Sequence, residues 1–215
     1  MTVKHDTGVG PLVIAIAAMA GVVALSNVLV QYPVRLTLGA VDLADLLTWG
    51  AFTYPVAFLV TDATNRLFGP AMARRVVAAG FVLAVILSIW LATPRIAIAS
   101  GTAFLVAQLL DVAVFDRLRE GRWWRAPLVS SLVGSALDTG LFFSLAFAPA
   151  FALLDFGGEA GSLGFAVPFL GVGGEVPLWV SLAAGDFIVK LLVGLAMLAP
   201  YGAIAHSRLA NANSR

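Results

Sequence analysis

The 215-residue sequence contains no cysteine and only two histidines, His5 and His206, which stand near opposite ends and on no shared helix. The first absence excludes disulfides, thiolate metal sites and a cysteine nucleophile. The second removes the imidazole from which serine hydrolases and most metal centres are built. No glycine-rich phosphate loop is present, so the chain shows no signature of intrinsic ATP hydrolysis. Charge is scarce as well: Asp, Glu, Lys and Arg make up 12% of the residues, and the net charge of +1 gives no basic surface for nucleic acid. No metal or cofactor is implied.

What remains is apolar. Hydrophobic residues make up 60% of the chain and the mean hydropathy is +0.97, far above soluble globular domains. A chain of this length suffices for about six spanning helices of roughly 20 residues each, with no room for a soluble catalytic domain. Hydropathy places them at 12–30, 46–61, 76–93, 96–115, 128–148 and 178–204. The expected fold is therefore an all-α integral membrane protein with one transmembrane domain over residues 1–215. Pro94 and Arg95 make the third and fourth segments a tight hairpin. A Gly-rich stretch at 155–177, holding Asp155, Glu159 and Glu175 and no Lys or Arg, reads as an outer loop with short apolar pieces. The first segment has signal-peptide length but no small-residue cleavage site, and we expect it to be retained.

Basic residues set the orientation. With the N-terminus inside, the cytoplasmic segments hold ten of them: Lys4, Arg66, Arg74, Arg75, Arg117, Arg119, Arg122, Arg125, Arg208 and Arg215. The opposite side holds two, Arg35 and Arg95. This bias puts both termini in the cytoplasm.

Against that apolar background five charges fall inside the spans: Asp62, Asp111, Asp138, Asp186 and Lys190. Each costs roughly 2.5 to 3.5 kcal/mol at the bilayer centre, so a polar interior must receive them. Asp138 lies roughly 16 Å into the fifth segment and Lys190 about 18 Å into the sixth, both near the midplane. Asp186 precedes Lys190 by four residues, so the two can pair on one helix face and make insertion cheaper. Asp138 has no such partner on its own helix and reads as a ligand or proton site. Asp62 can meet Arg66 at i,i+4, and Asp111 precedes Asp116, Arg117 and Arg119; both fit a salt-bridge layer at helix ends or a coupling role. Asn27, Gln31 and Gln108 suit either helix glue or ligand contact. Trp49 and Phe52 fit an interfacial belt, while Pro55 in mid-helix points to a broken helix lining a cavity. Ala17, Ala20, Gly21 and Ala24 would serve internal packing, a homodimer or docking of an external coupling subunit.

Several strings together resemble a known family: Ser26-Asn27-Val28-Leu29-Val30-Gln31, Thr48-Trp49-Gly50-Ala51-Phe52, Thr61-Asp62 with Arg66 and Ala73-Arg74-Arg75, Arg95-Ile96-Ala97, Gln108 with Leu110-Asp111, Asp138-Thr139 with Phe142-Phe143, and Asp186 with Lys190. They are similar to the bacterial queuosine precursor transporters, formerly grouped as putative vitamin uptake transporters. The resemblance runs from about Ser26 to Tyr201. It implies a multi-pass importer in the bacterial inner membrane for the cyano and aminomethyl deazaguanine bases salvaged for tRNA queuosine. A guanine-like edge offers a ring N–H beside an amino group, which one carboxylate accepts bidentately while the ring stacks on an aromatic face. Asp138 is the first choice for that carboxylate, Trp49 and Phe52 for stacking, and Asn27, Gln31 and Gln108 for the remaining edge. Asp186, Lys190, Asp62, Asp111, Arg66 and Arg95 are the coupling or gating set. The acidic connector and Val41-Asp42-Leu43-Ala44-Asp45 depart from the family pattern.

Two other readings stay open at this level. One makes the chain the substrate-binding subunit of an energy-coupling-factor importer with an external ATPase. The other is an intramembrane enzyme using Asp138 with Asp186 or Lys190 as acid and base, although no nucleophile accompanies them.

Overall fold

The computed structural model describes residues 9–39, 41–155 and 163–213, the side chains of 207–213 excepted. Lys4, Arg215 and Glu159, together with the Arg208 side chain, lie outside the described part. The chain runs through α1 (Val9–Leu29), a short hairpin of β1 (Thr37–Leu38) and β2 (Val41–Asp42), then α2 (Gly50–Thr53), α3 (Val56–Phe68), α4 (Pro70–Leu91), α5 (Pro94–Leu118) and α6 (Arg125–Phe147). A second hairpin, β3 (Ala166–Pro168) with β4 (Glu175–Pro177), leads into α7 (Leu178–Asn213).

Local sequence accounts for most boundaries. Pro70 and Pro94 occupy first-turn positions, where their missing N–H would be unpaired in any case. Gly69 adopts φ 88° to turn the chain from α3 into α4. The Thr93 side chain accepts the Ile96 N–H at 3.4 Å and caps α5. The expected α4–α5 hairpin at Pro94 is therefore present.

Five helices are long and apolar enough to cross a membrane: Val9–Leu29, Pro70–Leu91, Pro94–Leu118, Arg125–Phe147 and Leu178–His206. The expected single helix at 46–61 is corrected. Residues 46–49 are not helical, and the segment is broken at Tyr54 and Pro55 into α2 of 4 residues and α3 of 13. Proline lacks the N–H that would continue the ladder, and the chain resumes as a helix only from Val56. Asp62, Asn65 and Arg66, where the apolar run gives way, continue α3 to Phe68 because their polar groups find partners inside the bundle. The third helix likewise starts at Pro70 rather than residue 76, with Arg74 and Arg75 exposed on its outer side.

The connector at 155–177 also differs from a plain loop. Residues 156–162 lie outside the described part, but beyond them β3 and β4 pair antiparallel with Val167 opposite Val176. The turn between them meets the first hairpin, where a Cβ on Gly171 would lie 3.1 Å from Val41. The unfamiliar Val41–Asp45 string is thus half of a two-hairpin cap at one end of the bundle.

The bundle is apolar outside and holds, beside an apolar core, a set of buried polar side chains. Trp90, Ile89, Val13, Ile14 and Leu192 are exposed, while Thr61, Asp62, Asn65, Gln108, Asp111, Ser130 and Lys190 are buried. In water this would be unstable; against lipid the exposed side chains are solvated, and most of the buried polar ones find partners within, Asp111 excepted. α3 sits centrally, touching α1, α4, α5 and α7, whereas α2 touches α1 and α7. A Cβ on Gly50 at the start of α2 would stand 2.9 Å from the Val30 backbone. Gly50→Ala is expected to destabilise the protein by about 1–3 kcal/mol through this backbone clash. Gly140→Ala, with nothing within 4 Å, should be neutral or slightly stabilising in the same detergent melting assay.

Candidate functional site

A cavity of about 380 Å³ lies in the half of the molecule that carries the hairpins. That volume is in the range of small-molecule sites. Its wall is built from the C-terminal end of α1 at Asn27 and the following Val30, the segment from Ala44 to Thr48, the broken helix at Gly50, Ala51 and Tyr54, and the beginnings of α5 and α7. α6 contributes Phe142, Phe143 and Phe147, three rings packed with centroids 5.1 to 6.1 Å apart. Breaking the second helix turns Tyr54 toward this space and lets its ring lie 5.6 Å beneath the Lys190 ammonium.

At the cavity floor Lys190 reaches two helices at once. Its Nζ lies 2.7 Å from Asp138 Oδ2 and 2.5 Å from Asp186 Oδ2. It also donates to Thr139 Oγ1 at 3.1 Å, and the Thr139 hydroxyl donates to Asp186 at 2.8 Å. Tyr54 lines the same cavity as Asp138. Asp138 and Lys190 side chains are each 5% exposed, and Asp186 is 16% exposed on the cavity side. Two carboxylates against one ammonium leave a surplus negative charge beside the cavity. Such a surface accepts a ligand edge rich in N–H donors or a cationic group.

Several expectations change here. Asp138 is not unpaired: Lys190 on α7 neutralises it across the helix interface, a contact invisible to spacing within either helix. Asn27 lines the cavity, with its amide donating to the Val23 carbonyl at 2.9 Å. Gln31 is exposed and outside the cavity, its amide directed at the Asn27 carbonyl at 3.4 Å. Gln108 is fully buried deeper in the bundle, where its oxygen accepts the Thr61 hydroxyl at 2.7 Å. Trp49 is 44% exposed and packs against Phe52 with centroids 5.6 Å apart; neither ring is among the cavity walls. The aromatic surfaces are instead Tyr54 and the α6 phenylalanines. Phe142 follows Asp138 by four residues, so the helical repeat could have identified it as a ring on the same face.

The remaining charged residues are divided between the two ends. Arg95 donates to the Leu145 and Ala148 carbonyls at 2.9 and 2.7 Å and pairs with Asp155 at 3.0 Å, closing the C-terminus of α6. It is a structural clamp. Arg66 does not pair with Asp62. It donates to the Tyr201 hydroxyl at 2.8 Å and the Arg119 carbonyl at 2.6 Å, and stacks over Phe115. Asp62 accepts from Ser130 at 3.2 Å and Ser131 at 3.3 Å. Arg119 takes Asp116 at 3.1 Å, so Asp111 belongs to no salt-bridge layer. A second crevice of about 10 Å³, bounded by Asp62, Ser131 and Tyr201, has Lys190 in its wall too. Lys190 therefore separates the large cavity from the polar seam beneath it.

Comparison with known proteins fits this architecture. The family model described as "Putative vitamin uptake transporter" matches residues 48–93 and 88–204. A "Probable queuosine precursor transporter" of Haemophilus influenzae is 35% identical over 211 residues, covering 85% of this chain and 81% of the relative. The "Queuosine precursor transporter" of Escherichia coli is 41% identical over 147 residues, which is 59% of this chain and 64% of the relative. A "Probable queuosine precursor transporter" of Bacillus subtilis is 26% identical over 192 residues, or 76% of this chain and 73% of the relative. No solved structure matches the chain.

Removing the central ammonium leaves two buried carboxylates facing each other. Lys190→Met is expected to lower stability by about 3–5 kcal/mol, and neutralising both acids in the triple variant Lys190→Met, Asp138→Asn, Asp186→Asn should restore most of it. Thermal melts of the parent, Lys190→Met and the triple variant would measure the coupling. A Lys190→Met protein as stable as the parent would show that the triad is solvated.

Proposed function

The chain belongs to the queuosine precursor transporter family, and from that premise we propose that it is a membrane importer of queuosine precursors, the 7-cyano and 7-aminomethyl 7-deazaguanine bases. The observation that carries the reading is the cavity whose aromatic wall stands directly above an acid-rich triad. A deazaguanine is a flat ring with a ring N–H and an amino group on one edge. The α6 phenylalanines and Tyr54 supply faces for the ring, and Asp138 or Asp186 supplies the acceptor pair for that edge. Asn27, which lines the same cavity, would meet the opposite polar edge. Transport requires no covalent chemistry from these residues.

Six crossings support the reading if α2 and α3 together form the second, broken one. Broken helices of this kind are tolerated where they line a polar cavity. With the basic residues in the cytoplasm, both termini are inside and the hairpins face outward, in a bacterial inner membrane. The large cavity then lies in the outer half, with Lys190 as its floor. The seam of Asp62, Asp111, Arg66 and Tyr201 lies below and closes the path inward. Substrate would enter from the hairpin side, and release would need that lower seam to part.

The test is uptake of the two labelled bases by proteoliposomes containing only this chain, with guanine as competitor. Uptake by the isolated chain is expected; binding without uptake would favour a subunit that needs an external coupling ATPase, and no binding of either base would overturn the substrate. Asp138→Asn should abolish uptake with membrane levels unchanged, because Lys190 keeps Asp186 at 2.5 Å as its partner. Retained uptake in that variant would remove Asp138 from the site.

A further inference from the structure

Below the triad the seam between α3 and α5 contains a feature that substrate binding does not use. Asp62 and Asp111 are 2% and 0% exposed and come together where α3 and α5 meet α6: the Thr61–Gln108 and Asn65–Val112 hydrogen bonds join α3 to α5 on either side of them, Ser130 of α6 donates to Asp62, and a Cβ on Gly134, one turn further along α6, would lie 3.4 Å from Asp111. Both oxygens of Asp62 already accept serine hydroxyls from α6, whereas neither oxygen of Asp111 has a donor among the described residues. Two carboxylates are acceptors only, so they can hydrogen-bond to each other only when a proton lies between them. Like charges brought together there cannot both persist away from water.

Among the described residues neither carboxylate of the pair forms an ion pair. On α3, Arg66 turns to Tyr201 and the Arg119 carbonyl; on α5, Arg119 turns to Asp116. α6 presents the neutral Ser130 and Ser131, and α7 presents Tyr201 and Lys190, the latter held by Asp138 and Asp186. Toward α1 and α4 the packing is apolar, through Met19, Val23, Ala73 and Val76. The crevice of about 10 Å³ that joins Asp62 to Lys190 and Tyr201 approaches the space of one water molecule.

We propose that Asp62 and Asp111 form a proton-binding pair, distinct from the substrate cavity, whose shared proton is bound from one side of the membrane and released to the other once per transport cycle. This rests on the reading of the chain as a transporter. In the resting state the pair holds one proton and a single negative charge. When the seam parts to release substrate, water reaches Asp111 through the opening and the proton leaves to that water. The seam recloses over the hydrated pair, and the replacement proton reaches it from the cavity side through the crevice that joins Asp62 to Lys190, before the seam parts again. The inward-open and outward-open states are thereby linked to protonation without any group passing between substrate and protein.

The decisive experiment uses proteoliposomes of the full chain with a pH-sensitive dye inside and an imposed inside-alkaline gradient. The expected result is accumulation of labelled aminomethyl-deazaguanine above its external concentration, with acidification of the lumen that follows uptake. Asp62→Asn and Asp111→Asn, neutral and nearly isosteric, should each exchange labelled for unlabelled base within about twofold of the parent rate, yet neither accumulate it nor move protons. Wild-type proton flux in both variants, accumulation without proton flux, or accumulation that follows a sodium gradient would each overturn the pair. Infrared difference spectra of the substrate-free protein across a pH titration decide the matter even if a variant misfolds. A band from a buried protonated carboxyl is expected in the parent, and its absence refutes the proposal. If neither base is bound, the substrate assignment falls while the infrared band still reports on the pair.

Discussion

A single ammonium placed between two helices organises the interior. Lys190 on α7 binds Asp186 on its own helix and Asp138 on α6, so α6 and α7 cannot separate without exposing charge to a medium that solvates it poorly. Hydrophobic burial cannot supply this cohesion, because lipid tails solvate the outer faces of the helices as well as another helix would. The apolar exterior therefore says where the protein lives, and the few polar contacts say how its helices are arranged. With Thr139 bridging the two acids' neighbourhoods and Tyr54 over the ammonium, three elements meet at one point.

The broken second helix is the other requirement. The non-helical residues 46–48, the short α2 and Tyr54 all contribute to the wall of the cavity. Pro55 interrupts the ladder, and Gly50 lets the short α2 approach the Val30 backbone closely enough to close the wall. Backbone groups freed at the break sit beside a polar cavity rather than lipid, which is the setting in which irregular backbone is tolerated at membrane depth. The device costs helix stability and provides a concave surface.

How much of this was legible beforehand follows from what each signal depends on. The long helices were visible because hydropathy and proline placement are local properties, and Pro70 and Pro94 mark helix starts by their own chemistry. The membrane-embedded charges were visible as exceptions to an apolar background. Their partners were not. Spacing within a helix pairs Asp62 with Arg66 and leaves Asp138 alone, whereas the fold gives Asp62 to serines of α6 and Asp138 to a lysine 52 residues away. The same limit misplaced Gln31, Gln108, Trp49 and Phe52: depth along an axis was readable, but rotation about it was not, since α1 and α5 are apolar on nearly every face. The hairpins escaped notice because strands of two or three residues carry no period to detect.

Lys190 forms part of the boundary of both the large cavity and the small crevice below it. A ligand edge that donates to Asp138 or Asp186 competes with the ammonium for the same oxygens. As the carboxylates take up the ligand's N–H groups, the ammonium is held less tightly at the wall that the cavity and the crevice share. With the cavity empty, both carboxylate contacts of Lys190 are intact, so the side chain that forms the floor of the cavity also holds α6 to α7 above the seam.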